Sequence, residues 1–120
     1  MIYARTGAKQ LADMLGFSVP DAVKVATVVS ELARNIVVYA RTGSLELEVV
    51  ATPRAGIRIT AIDQGPGIAD VDLVLSGKYK SRTGMGLGLA GSKRLVDQLL
   101  VESAPGRGTK VVAQKYLDRR

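Results

Sequence analysis

The stretch IRITAIDQGPGI, residues 57–68, decides how the rest of this chain is interpreted. Its first half alternates, with Ile57, Ile59 and Ala61 on one side, as a half-buried strand does. The alternation stops at Asp63, and two glycines and a proline then supply the backbone angles of a tight turn. The stretch therefore predicts a strand that delivers a carboxylate to a turn, where glycine lets the backbone pass close to a ligand. Taken alone, it is also the pattern of an ordinary turn.

Regular elements on both sides of this strand predict an α+β fold. The pattern predicts helices over residues 3–15, 18–40, 70–75 and 87–100, and strands over 45–51, 57–62, 100–103 and 109–117. Ser18 has the position of an N-cap, and Gly16 that of the residue that ends the preceding helix. Because strands and helices do not alternate in a βαβ rhythm, we expect a two-layer sandwich with a mixed, mostly antiparallel sheet and the helices on one face. The length of 120 residues fits a single domain over 1–120.

Composition excludes several kinds of chemistry. The chain contains no Cys and no His, which excludes disulfides, thiolate catalysis, Cys- or His-held metal and a phosphoacceptor His within it. It has no apolar run of about 18 residues and no signal-peptide pattern, so we expect a cytoplasmic protein without membrane contact. The net charge is +6, and five basic residues and no acid lie between Asp72 and Asp97. Positive charge thus coincides with the glycine-rich stretch, as a polyphosphate site requires.

Glu31 and Asn35 lie four residues apart in the predicted second helix, and therefore on one face. A carboxylate and an amide oxygen one turn apart can serve a metal–phosphate site, since Mg²⁺ prefers few protein oxygens together with phosphate oxygens and water. Asn35 is a candidate Mg²⁺ ligand, and Glu31 a candidate base for the proton of an attacking hydroxyl. An isolated pair of this kind is more often the polar edge of a helix.

Two further motifs point to a nucleotide. GMGLGL, residues 84–89, opens a predicted helix, whose N-terminus presents free N–H groups to phosphate. It matches neither the dinucleotide fingerprint GxGxxG after a first strand nor the Walker pattern GxxxxGK[ST]. GRGT, residues 106–109, predicts a hairpin turn in which the Thr109 hydroxyl is a candidate contact to a base. Asp63, at its strand end, is a candidate acceptor for an exocyclic amine such as adenine N6.

In this order, the four motifs resemble the GHKL family of ATP-binding domains, named for gyrase, Hsp90, histidine kinases and MutL. SELARN (30–35) resembles its N box, DQGPGI (63–68) and GMGLGL (84–89) its first two glycine boxes, and GRGT (106–109) its last. The resemblance covers nearly the whole chain. It implies the Bergerat ATP-binding fold, with ATP and Mg²⁺ as cofactors.

The phrases SELARN, IDQGPG and GLAGSKRLVD resemble more closely the anti-sigma-factor-type serine/threonine kinases of bacteria, in particular the stressosome-type switch kinases. This resemblance implies an ATP-dependent protein serine/threonine kinase that phosphorylates STAS-domain partners in a stress-signalling, partner-switching pathway. It also implies that the kinase then leaves the complex and activates a phosphatase. Such kinases usually begin with a strand before the first helix. This sequence starts in that helix, so we expect the N-terminal strand to be missing from this numbering.

The resemblance implies roles residue by residue. Glu31 is the catalytic base and Asn35 the Mg²⁺ ligand. Asp63 binds adenine with Gly67 beside the base, and Thr109 assists. The other implied contacts to base and phosphates are Gly65, Ile68, Gly84, Met85, Gly86, Leu87, Gly88 and Leu89, with Lys78 and Lys80 in an ATP lid over residues 76–82.

Two other functions stay open at this point. One is a binding protein that sequesters a sigma factor or another regulator, with ATP as a structural ligand. The other is a nucleic-acid module, which predicts steeply salt-dependent binding. One Phe and four Tyr offer few stacking surfaces, so we expect no nucleic-acid partner. The chain is too short for a topoisomerase transducer or the client segments of a chaperone, and it lacks the phosphoacceptor His of a histidine kinase.

Overall fold

The computed structural model describes residues 2–40, 42–52, 54–76 and 85–117. Its helices are α1 (Ile2–Leu15), α2 (Val19–Asn35), α3 (Val71–Leu75) and α4 (Met85–Leu95), and a π-helical turn over Ile36–Ala40 continues α2. Its strands are β1 (Gly43–Val50), β2 (Gly56–Asp63), β3 (Gln98–Ser103) and β4 (Thr109–Tyr116). Within these described ranges, no helix is long and apolar enough to cross a membrane.

Local chemistry sets the junction between α1 and α2. Gly16 has a φ of +91°, and the amide of Phe17 donates to the carbonyl of Ala12 at 3.1 Å, as in helices that end on a left-handed glycine. The Ser18 hydroxyl then accepts from the amide of Asp21 at 3.2 Å, which caps α2. Both predicted helix signals are confirmed.

The four described strands form one sheet in the order β1-β2-β4-β3, and all three pairings are antiparallel. The α+β class with a mostly antiparallel sheet is therefore confirmed. The register aligns apolar residues across the four strands. One such row consists of Leu47, Ile59, Ala113 and Leu99. This row belongs to the core-facing side of the sheet.

Helix α2 forms the centre of the layer that covers this side. Val25, Val28, Val29 and Leu32 are at most 1% exposed and share one cluster with the core residues of the sheet. Burying each such side chain contributes roughly 1.5–3 kcal/mol. The buried stripe fixes the rotation of α2, so that the partly buried Glu31 beside Leu32 lies at the edge of the core.

The end of α2 differs from the prediction of an α-helix to residue 40. The α-helix ends at Asn35, and Ile36–Ala40 forms a π-helical turn. Three consecutive β-branched residues, 36–38, crowd an α-helical turn. In the wider turn Ile36 packs against the core, while Val37 and Val38 are exposed.

Helix α4 also differs, since it covers Met85–Leu95 where residues 87–100 were predicted. Burial alternates along β3, with Leu99 and Val101 packed against the core. The period of two therefore ends the helix earlier than the local sequence suggests. At the other end, α4 begins at Met85, so Gly86 and Gly88 of the glycine motif lie within the helix.

Candidate functional site

The core-facing side of the sheet becomes polar at one end. Asp63 lies opposite Thr109, and Thr109 lies opposite Ser103. Because side chains alternate along a strand, Asp63 and Thr109 share the face that carries Ala61 and Val111. The sheet therefore presents a carboxylate and two hydroxyls in one row next to the buried core.

Ser103 connects this row to the turn over residues 63–68. Its Oγ donates to the carbonyl of Gly108 at 2.8 Å and accepts from the amide of Ile68 at 2.7 Å. The Thr109 Oγ1 lies 2.8 Å from the Ser103 Oγ. Because Ser103 has one hydroxyl proton, Thr109 donates this bond and keeps its own oxygen as an acceptor. Sequence reasoning missed Ser103, although the predicted turn over 104–108 already placed it opposite Thr109.

The glycine turn holds the carboxylate in place. Asp63 Oδ1 accepts from the amide of Gly65 at 2.9 Å. Gly67 has a φ of +81°, and a Cβ there would collide with the carbonyl oxygen of Ala104. The amide of Gly106 also donates to the carbonyl of Pro66 at 2.8 Å. The turn over 63–68 thus packs backbone to backbone against the turn over 104–108.

Glu31 and Asn35 meet the first turns of α4 at Gly88. A Cβ built on Gly88 would lie 2.8 Å from Glu31 Oε2 and 3.8 Å from Asn35 Oδ1. The amides of residues 85–88 open α4, and the first four amides of a helix have no partner within it. The structure thus brings a carboxylate and an amide side chain to a helix end of the kind that binds phosphate.

Asn35, Asp63, Leu89 and Thr109 line one small cavity. Its volume is about 20 Å³, roughly the room for one water molecule. The polar groups fit a purine nucleotide, since they offer a carboxylate and a hydroxyl to the base and an amide oxygen towards phosphate. A base bound within this cavity requires it to widen, while a second cavity of about 390 Å³ also has Asp63 and Thr109 in its lining.

The other predicted contact residues are distributed around the same region. Gly65 borders Asp63, and Ile68 and Leu89 are buried. Met85, Gly86 and Leu87 belong to the first turn of α4. The predicted residues Lys78, Lys80 and Gly84, with most of the predicted lid, lie outside the described residues. The roles assigned to all of these residues stay predictions.

Metal binding by protein groups alone has no support in the described ranges. They contain no cluster of three or more His, Cys, Asp or Glu that could hold a metal ion. A Mg²⁺ ion held by Asn35 near the N-terminal end of α4 would instead need phosphate oxygens and water to complete its coordination.

Comparison with known families shows to which family the chain belongs. The family described as histidine kinase-, DNA gyrase B- and HSP90-like ATPase matches residues 20–119. The chain belongs to this family. Membership of this ATPase family implies that it binds ATP, and the predicted resemblance to GHKL proteins is confirmed.

Relatives within the ATPase family are regulatory proteins of bacteria. The chain is 41% identical to the serine/threonine-protein kinase RsbT of Bacillus subtilis (strain 168) over 118 residues, which cover 98% of this chain and 89% of that protein. It is 30% identical over 122 residues to the anti-sigma F factor of Caldanaerobacter subterraneus subsp. tengcongensis, covering 98% and 85% respectively. The predicted likeness to anti-sigma-factor-type kinases is confirmed, as is the expectation of an enzyme of the protein serine/threonine kinase type.

Solved structures of the ATPase family share the fold. The histidine kinase domain of the blue-light-activated histidine kinase from Erythrobacter litoralis EL346 matches 97% of this chain with a TM-score of 0.62 at 22% identity. The chain spans 64% of that solved chain. The mycobacterial sensor histidine kinase MprB matches 78% of this chain with a TM-score of 0.61 at 24% identity. At these identities the likeness concerns the fold alone.

Proposed function

We propose that this chain is a Mg²⁺-ATP-dependent protein serine/threonine kinase that phosphorylates STAS-domain partners in a bacterial, stressosome-type partner-switching pathway. One observation carries the proposal: Glu31 and Asn35 meet α4 at Gly88, and Asn35 also lines the cavity that contains Asp63. The kinase relative at 41% identity supports the reaction type. A cytoplasmic location, release from the phosphorylated partner and activation of a phosphatase belong to the same proposal.

In the proposed reaction, each of these residues has a different role. When bound, Mg²⁺-ATP would supply its terminal phosphoryl group to the substrate hydroxyl, with ADP as the leaving group. The Asp63 carboxylate, held by the Gly65 amide, accepts a hydrogen bond from the adenine amine. Asn35 offers a neutral oxygen to Mg²⁺, and the first amides of α4 stabilise phosphate charge. Glu31 accepts the proton of the substrate hydroxyl, since phosphoryl transfer otherwise needs mainly positioning and charge stabilisation.

A direct assay tests the proposal. The protein is mixed with Mg²⁺-ATP and a STAS-domain protein encoded near it, and the intact mass of the STAS-domain protein is measured. We expect a gain of one phosphate with Mg²⁺ and none with EDTA. The alternative, a nucleotide-dependent protein that sequesters a regulator, is favoured by the relatives named anti-sigma F factor. ATP binding without any transfer would support that alternative.

Gly88→Ala is expected to slow phosphate transfer without lowering the stability of the fold. The new methyl group would lie 2.8 Å from Glu31 Oε2, so the flexible carboxylate must move aside. A displacement of about 1 Å can slow an enzyme about 10²-fold, while alanine in a helix is favoured over glycine by about 1 kcal/mol. We therefore expect an unchanged or higher Tm and a transfer rate about 10²-fold lower.

Gly7→Ala in α1 is the matched control for Gly88→Ala. A Cβ on Gly7 meets no heavy atom within 4 Å, so the same gain in helix propensity comes without a displaced side chain. We expect its transfer rate to equal that of the wild type. Full activity of Gly88→Ala would show that the observed position of the Glu31 carboxylate is unimportant for transfer.

A further inference from the structure

A groove of about 520 Å³ lies between α2 and α4. Glu31 and Arg34 of α2 and Gly91, Ser92 and Arg94 of α4 line it. Its volume is far larger than the roughly 20 Å³ of the cavity that Leu89 lines, and it reaches the predicted catalytic base. Neither the nucleotide contacts nor the phosphate chemistry proposed above uses the part beyond Gly88.

The groove exists because α4 carries small residues where it faces α2. A Cβ on Gly91 would meet no heavy atom within 4 Å. Ser92 is 1% exposed, and its Oγ has no hydrogen-bond partner in the described part of the chain. Most buried hydroxyls are paired, and an unpaired one lowers the stability of the fold.

The length and charge of the groove favour a peptide segment over a nucleotide. Arg94 follows Gly88 by six residues, so the lining extends about 9 Å along α4 from the phosphate-binding end. One arginine from each helix, Arg34 and Arg94, lines the groove together with a single acid, Glu31. With a net charge of +6 for the whole chain, the complementary occupant is acidic.

We propose that this groove binds the acidic segment of the protein substrate that carries the acceptor serine or threonine, a proposal that rests on the proposed kinase function. The acceptor hydroxyl then lies at Glu31. Acidic side chains of the segment pair with Arg94. The groove thereby determines which protein is phosphorylated, while Asp63 and Asn35 serve the nucleotide.

Arg94→Glu tests the charge of the groove. We expect the KM for the STAS-domain protein that accepts phosphate in the assay above to rise about 10-fold or more, because like charges then face each other. The values of kcat and of the KM for ATP stay unchanged. Lys93→Glu is the matched control, since Lys93 belongs to the same last turn of α4 but does not line the groove. It makes the same change in net charge, and we expect all of its constants to equal those of the wild type.

Gly91→Gln tests the space in the groove without touching a charge. The side chain enters open room, so the fold tolerates it, while the acceptor segment loses its place. We expect the KM for the STAS-domain protein to rise and the Tm not to fall. Gly7→Gln on the exposed side of α1 is the control, and we expect it to change neither value.

The possible outcomes separate the two proposals. Wild-type transfer with unchanged protein KM in both Arg94→Glu and Gly91→Gln would overturn the groove and leave the kinase intact. A rise in the KM for ATP instead would assign the groove to the nucleotide and also overturn it. If the wild-type protein transfers no phosphate, the proposed kinase function fails, and the acceptor groove fails with it.

Discussion

Glu31→Gln is expected to slow phosphate transfer about 10²- to 10⁴-fold while ATP still binds. The amide has the size of the carboxylate and fits beside Gly88, but it cannot accept the proton of the substrate hydroxyl. The loss therefore falls on the chemical step and not on nucleotide affinity. Single-turnover transfer to the STAS-domain protein, together with the affinity for a fluorescent ATP analogue, measures both quantities.

Asn35→Ala is the companion of this variant because the two residues lie one helical turn apart. We expect it to lower the affinity for ATP in the presence of Mg²⁺ and to leave the affinity measured in EDTA unchanged. Glu31→Gln should not show this dependence on Mg²⁺. Transfer at the wild-type rate by Glu31→Gln would remove the assignment of Glu31 as the base.

Gly67→Ala is expected to lower the free energy of unfolding by about 2–5 kcal/mol. Its φ of +81° costs an L-residue roughly 1–2 kcal/mol, and crowding in a packed region adds about 1–3 kcal/mol. The crowding arises because the new methyl group would meet the carbonyl of Ala104. Urea denaturation measures the loss, and ATP affinity should fall with it, since the same turn holds Asp63.

Gly106→Ala provides the comparison for Gly67→Ala. Gly106 also has a positive φ, of +77°, but a Cβ there meets no heavy atom within 4 Å. The expected loss is therefore only the roughly 1–2 kcal/mol of backbone strain. Equal losses in the two variants would show that the packing of the two turns against each other contributes nothing to stability.

The sequence predicted the elements of this fold well where local physics determines them. The apolar stripe of α2, the cap at Ser18 and the alternation around Ile59 all specify structure within a few residues of themselves. The same alternation places Asp63 on the core-facing side of its strand. The motifs around Glu31 and Gly88 could be listed from the sequence, but only packing between helices shows that these two residues touch.

Features that depend on distant partners could not be predicted in this way. The insertion of β4 between β2 and β3 arises from pairings that no local pattern reveals. The local sequence continues the predicted helix through Leu99, whereas Leu99 lies in β3 and packs against the core. Ser103 has the ordinary appearance of a turn residue, and its importance comes from hydrogen bonds to Ile68 and Gly108.

The small cavity beside Leu89 has a thermodynamic consequence for signalling. If ATP binds only molecules in which this cavity of about 20 Å³ has opened, the apparent dissociation constant rises in inverse proportion to the open fraction. With about one molecule in a hundred open, ATP would bind about 100-fold more weakly than to the open form. A partner that favours the open form by contacting α4 would then raise the affinity for ATP, and ATP would raise the affinity for that partner by the same factor. Nucleotide and partner would thus be bound cooperatively.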